Sequence, residues 1–210
     1  ETASPRGVLV REEHTIEVDA SAPGVRAVRH VASDTYHFEG GPETAAVRVR
    51  TEWAHDSWAN VTEERALGRV DRLTGADLPG DERITTSVYA EPTTEGGPRD
   101  RVAEQTVTDA DGTPLTVTRT YYDGEPEHGL PLGQLAARGV VARIETGSEG
   151  DTWLPTLRQR VDPHGNITRI RDAEDGTLER LYDDAGLFPV EERLHLPGGD
   201  LVTEAAWDAR

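Results

Sequence analysis

Apolar and polar residues alternate along most of this chain. Val8-Leu9-Val10 and His14 to Val18 make short β-type runs, Val25 to Phe38 alternates loosely, and Ala46 to Trp53 alternates well. Further runs are Ile84–Tyr89, Glu104–Thr108, Leu115–Tyr122, Val140–Glu145, Leu157–Val161, Ile167–Arg171, Leu178–Tyr182, Val190–Leu196 and Leu201–Trp207. They are rich in Val, Thr and aromatic residues, have period two, and are punctuated by Gly, Pro, Asp or Asn. The pattern predicts an all-β fold, an antiparallel meander. Helical spacing is scarce; Val61 to Leu67 and Leu130 to Ala137 are each expected to hold a helical turn or two.

The connections carry turn chemistry. Asp111-Gly112, Asp175-Gly176 and Gly198-Gly199 supply residues that tolerate positive φ, as tight hairpins require. Gly165-Asn166 does the same. Near the C-terminus one phrase recurs: Val161-Asp162-Pro163-His164-Gly165-Asn166, then Tyr182-Asp183-Asp184-Ala185-Gly186, then Trp207-Asp208. The three aspartates are 21 and 25 residues apart. A period of this size marks a repeat architecture, in which each unit stacks on its neighbours. The phrase breaks off at Arg210, and the chain starts at Glu1 without Met, so it reads as a segment of a longer polypeptide. The loops at Thr93–Pro98 and Asp123–Pro131 look too short to separate independent domains.

Asp162 to Arg169, followed by Asp172 and Gly176, resembles the YD repeat of Rhs proteins, with Val161 in place of the Tyr. Tyr182-Asp183 with Gly186 is similar to a second unit. Trp53 to Thr62 resembles an earlier one: it keeps Asp56, Asn60 and Thr62, with His55 for the Tyr and Ala59 for the Gly. Tyr121-Tyr122-Asp123-Gly124, Gly129 to Gln134, Gly139, Arg143 and Glu145 are similar to a linking segment of the SpvB/B-component class of bacterial toxin-complex proteins. The resemblance covers 47–210, with the linking segment near 121–145, and leaves 1–46 as an unassigned β segment. It implies a curled sheet forming part of a hollow shell around a C-terminal toxic domain. It also implies a secreted or cell-surface setting, and other repeats of the same parent chain as partners. Trp53, Tyr122, Tyr182 and Trp207 would then stack as a ladder, and the repeated Asp would accept backbone N–H bonds in the turn after it.

Composition narrows the partners. Forty acids face 22 basic residues, all Arg, for a net charge of −18. Nucleic acid and anionic membrane need a basic surface and are not expected. The arginines are expected to form cross-strand pairs with the acids. Without Cys there is no disulfide, thiolate zinc site or thiol catalysis, and no apolar run is long enough to span a bilayer as a helix.

Candidate chemistry is sparse. His30 and His37 lie seven apart in a β-type run and are expected on opposite faces. Glu125, Glu127 and His128 could hold a divalent ion but read as a solvated acidic loop. Asp109 to Gly112 opens like a calcium loop, yet the twelfth position is Thr120 rather than Glu, so it reads as a hairpin turn. No nucleophile elbow, phosphate loop or dinucleotide fingerprint occurs, and no catalytic, cofactor or metal residue is nominated. The rival to a structural repeat is a carbohydrate-binding or adhesion module, favoured if Trp53, Trp58 or Trp207 is exposed. A β-scaffold hydrolase would need converging acids such as Asp183, Asp184 and Glu191.

Overall fold

The structure is a computed structural model and describes residues 10–22, 25–38, 46–147 and 152–207. Among these the fold is all-β, without helix. The strands are β1 (Val10–Ala22), β2 (Val25–His37), β3 (Val47–His55), β4 (Val61–Val70), β5 (Arg83–Tyr89), β6 (Glu91–Pro92), β7 (Val102–Thr108) and β8 (Pro114–Tyr122). They continue with β9 (Gln134–Leu135), β10 (Val141–Gly147), β11 (Leu154–Val161), β12 (Ile167–Asp172), β13 (Thr177–Tyr182), β14 (Pro189–His195) and β15 (Leu201–Glu204). Thirteen strands follow one another in nearly sequential hydrogen-bonding order in a sheet not closed into a barrel; β6 and β9 make a separate parallel pair.

The structure corrects two expectations. Val61–Leu67 is not helical but lies in β4, paired with β3 from Arg48↔Val70 to His55↔Val61. Leu130–Ala137 holds turns and β9. In the first case Val61, Thr62, Leu67 and Val70 prefer the pleated surface offered by β3, and tertiary pairing overrides a weak helical spacing. Val10 and the run His14–Val18 lie in one long strand, bulged between Thr15 and Ile16.

The chain divides into two compact units, 1–87 with 106–115, and 88–105 with 116–210. In the first, one face of β1–β3 is held by charge as much as by apolar packing. Asp34 is 5% exposed. It accepts Arg48 Nε at 2.7 Å and Arg50 Nη1 at 3.2 Å. The Arg48 guanidinium and that of Arg11 lie over the Tyr36 ring, 5.6 and 4.5 Å from its centroid. A buried pair of this kind is costly to break one partner at a time, because a lone desolvated charge is left behind.

The second unit has a small apolar core of Ala90, Ala103, Tyr122 and Leu135, with Val141 packed against it. Leu135 is completely buried. The Tyr122 hydroxyl donates to the Val102 carbonyl at 2.7 Å, which satisfies the one polar atom the ring carries inside.

Candidate functional site

The repeated phrase folds as one recurring turn. The Asp162 carboxylate accepts the backbone N–H of His164 at 2.8 Å and of Asn166 at 2.9 Å, while the Asn166 side-chain amide donates to its other oxygen at 3.0 Å. The backbone closes with Asp162 N to Asn166 O at 2.9 Å and Gly165 N to Asp162 O at 3.1 Å. Asp56 does the same with Trp58, Asn60 and the Asn60 amide, at 2.8, 2.9 and 2.9 Å. Asp183 holds a loop one residue longer, accepting from Leu187 at 2.7 Å and Phe188 at 3.3 Å.

Two further turns share the geometry, although their sequences did not mark them as members of the set. Asp109 accepts from Asp111 and Thr113, and Asp172 from Glu174 and Gly176, in each case the second and fourth residues onward. In all five turns the third residue after the Asp has positive φ: Ala59 (65°), Gly112 (79°), Gly165 (97°), Asp175 (63°) and Gly186 (67°). In four of them this is a three-residue hairpin loop with its last residue left-handed, and the Asp183 loop is one residue longer. Register shifts next to His55, Val161 and Tyr182 mark bulges one pair before three of the turns. The legible signal is Asp with a residue at i+3 that tolerates φ > 0, whatever precedes the Asp.

Burial pushes the Asp56 and Asp162 carboxyls up, but the bonds from Asn60 and Trp58, and from Asn166 and His164, outweigh it and leave both below the usual range. Two of the turns meet. The Asn166 amide also donates to the Gly186 carbonyl at 2.7 Å. Asp162, Gly165, Asn166, Asp183 and Gly186 are thereby brought together.

The linking segment is built around Asp123, whose φ is +50°. Its carboxylate accepts the N–H groups of Ala136, Gly139 and Val140 at 2.7, 3.0 and 3.0 Å. Gly124 adopts φ +68°, and a Cβ there would lie 2.8 Å from the Gly129 backbone, so only Gly fits. A cavity of about 360 Å³ opens beside it, lined by Asp123, Ala136, Val140 and Gln159 among others.

The aromatic ladder does not form. Trp53 packs against His30, with centroids 4.5 Å apart, and donates to Glu64 at 2.9 Å. Trp207 stacks on Phe188 at 5.1 Å and donates to the Pro189 carbonyl. Tyr122 is core, and Tyr182 is half-buried with its hydroxyl 3.3 Å from the Ile167 carbonyl. The bulges beside three of the turns shift side-chain parity, so aromatics at one sequence position do not share one line down the sheet. Asp208 lies outside the described residues. Trp58 and Trp207 are exposed, at 62% and 54%.

Charged residues also depart from expectation. Glu127 is not a solvated loop acid: its side chain is 11% exposed and lies 2.7 Å from Arg160, 3.6 Å from Arg169 and 3.8 Å from Arg171. Burial raises its carboxyl, and the arginines, Arg160 first, bring it below the usual range. His30 meets His14 at 3.2 Å, a contact the sequence did not indicate. Among the described residues no three His, Cys, Asp or Glu are grouped to hold a metal ion, and no helix is long and apolar enough to cross a membrane.

No known family profile matches the chain, and no curated protein does. Solved structures do. The structure of TcdB2-TccC3 matches 92% of this chain at 11% identity and a TM-score of 0.50. The fold of this chain is that of a stretch of TcdB2-TccC3. The Photorhabdus luminescens Tc holotoxin pore, with a mutation in TccC3, matches 95% at 14% identity and a TM-score of 0.49. TcdB2-TccC3-Cdc42 matches 90% at 13% identity and 0.47. This chain spans 15, 10 and 9% of those three chains.

Proposed function

We propose that this chain is a structural YD/Rhs-repeat segment of a bacterial toxin-like protein, forming part of a β-shell that encloses a C-terminal toxic domain. The observation that carries it is the recurring Asp turn: five hairpins with one positive-φ position, four of them with one carboxylate geometry, and two tied together through Asn166 and Gly186. A side chain spent on closing its own turn, five times over, builds a scaffold rather than a reaction centre. The likeness of fold to TcdB2-TccC3 supports this reading. On it the chain is non-catalytic, works outside the producing cell as part of a larger polypeptide, and has other repeats of its parent chain and the enclosed domain as partners.

The test is limited proteolysis of the parent polypeptide. Enclosure predicts that its C-terminal domain resists protease while attached and is cut once this segment is unfolded by substitutions such as Tyr122→Ala. A C-terminal domain equally sensitive in both forms would overturn the enclosure.

The exposure of Trp58 and Trp207 favours a second reading, a carbohydrate-binding face, since exposed indoles stack on sugar rings. Glycan-array binding lost in Trp58→Ala or Trp207→Ala would establish it.

A further inference from the structure

On one face of the second unit, arginines stand directly opposite arginines. Arg143 pairs in register with Arg158, Arg158 with Arg171, and Arg160 with Arg169. Like charges directly opposite across a sheet destabilise it. Three such pairs on adjacent strands are unexpected in a chain with forty acids, which could have supplied a carboxylate at any of these positions.

The local acids do not exhaust the guanidiniums. Glu145 serves Arg143, Asp175 serves Arg158 and Arg171, Glu179 serves Arg169, and Glu127 is shared by Arg160, Arg169 and Arg171. Four carboxylates thus face five guanidiniums, and each guanidinium carries five N–H donors. The Nε atoms of Arg143, Arg158, Arg169 and Arg171 are buried without a hydrogen-bond acceptor. Asp175, one of the four, is 70% exposed and screened by water.

We infer that this arginine face is a docking surface for an extended acidic polypeptide segment. Arg158 and Arg160 on β11, and Arg169 and Arg171 on β12, project at two-residue spacing, a repeat of about 6.6–6.8 Å. An extended peptide with Asp or Glu at alternate positions carries carboxylates at the same repeat. Glu127 shows what the face accepts: one carboxylate, delivered from a loop at φ +68°, sits among three of the arginines. Arg binds carboxylates through paired N–H groups, which adds orientation to charge. A long, densely charged nucleic acid or sulfated glycan would meet repulsion from the rest of a surface whose net charge is −18. This inference goes beyond the shell reading and does not depend on it.

The test is fluorescence anisotropy of the full chain with a labelled twelve-residue peptide alternating Glu and Thr. A Lys-Thr peptide, a heparin oligosaccharide and a single-stranded oligonucleotide run in parallel. The Glu-Thr peptide should bind in low salt and weaken as salt rises. Arg158→Gln should lose about tenfold in affinity, roughly one charge-assisted contact, with no fall in melting temperature, because the substitution relieves two like-charge oppositions. Arg171→Gln provides the same reading if Arg158→Gln fails to fold. Arg180→Gln, on the opposite face beside Glu192, should bind like the parent chain. The inference is overturned by absence of acidic-peptide binding, by equal affinity in the arginine-face variants, or by tighter binding of the heparin or oligonucleotide.

Discussion

The side-chain amide of Asn166 donates both to Asp162 in its own turn and to the carbonyl of Gly186 in the Asp183 turn, twenty residues on. One residue thus closes a hairpin and joins it to its neighbour. This nearest-neighbour coupling is what a stack of small repeats needs, since each is stabilised mainly by those beside it. Asn166→Ala removes both donors. It should destabilise the second unit by about 1–2 kcal/mol, the scale of losing two partly exposed hydrogen bonds. Urea melts followed by tryptophan fluorescence check this, and hydrogen exchange should rise at Gly186 as well as locally. Protection at Gly186 that stays unchanged would mean the two turns are independent.

Gly165 separates backbone cost from packing cost. Its φ is +97°, and nothing lies within 4 Å of the position a Cβ would take, so a side chain there meets no steric wall. Gly165→Val should therefore destabilise more than Gly165→Asn, because a β-branched residue is least able to adopt a left-handed conformation. Equal denaturation midpoints for the two variants would contradict the turn.

The aromatic positions should differ in weight. Tyr122→Ala removes a core ring and should cost about 3–5 kcal/mol, whereas Tyr122→Phe, which leaves the Val102 carbonyl without its partner, should cost about 1 kcal/mol. Trp207→Ala removes an exposed ring stacked on Phe188 and should cost about 0.5–1.5 kcal/mol, the scale of one aromatic pair. Chemical denaturation of the three variants ranks them; equal losses would restore the ladder.

The strands were legible from their period-two alternation and because Asp-x-x-Gly encodes its turn locally; which face is buried was not, since in Arg48-Val49-Arg50 it is the two arginines that face the buried Asp34. The helical spacing at 61–67 misled because three apolar residues do not outweigh eight register pairs with β3. The ladder failed because bulges are invisible to periodicity, and each one resets which face an aromatic occupies. Asp109 and Asp172 lack the Asn four residues on that Asp56 and Asp162 share, while the turn is closed by backbone N–H groups that any non-proline residue supplies. The setting of Glu127 depends on β11 and β12, more than thirty residues downstream, and no local pattern could report it.

Stability should vary with pH in a direction set by these groups. The carboxyls of Asp56, Asp162 and Glu127 are held low in the fold. Their contribution is fully present above the ordinary values of about 3.9–4.3 and is lost as pH falls through the folded values. His195, raised by its bond to Glu179 and then by Asp200, works in the other direction: its contribution is present below about pH 6.5 and fades as pH rises through the folded value. Asp77, raised by burial and then by its bond to Glu82, and Glu82, lowered first by the Gly80 N–H, act in opposite directions on the acid limb. Melting temperatures should be highest between about pH 5 and 6.5. Glu127→Gln should lower stability at pH 7 and flatten the acid limb; an unchanged acid limb would remove Glu127 from the account.

The strand at the far end of the sheet tests how the segment behaves alone. β15 pairs with β14 on one side, and among the described residues its other edge has no strand. Leu201 and Val202 are exposed there, at 60% and 43%. An open strand with apolar side chains recruits other chains unless something opposes it. Here the opposition is global: a net charge of −18 repels a second copy at low salt, and salt shortens that repulsion to a Debye length of about 8 Å at physiological ionic strength. The chain should therefore be monomeric in dilute low-salt buffer and associate as salt rises. Val202→Glu adds charge at the edge and should move the onset to higher salt. Light scattering across a salt series, with hydrogen exchange over 201–207, reads both. A monomer at every salt concentration with a fully protected β15 would show that this edge is closed and that the segment does not need a neighbouring repeat.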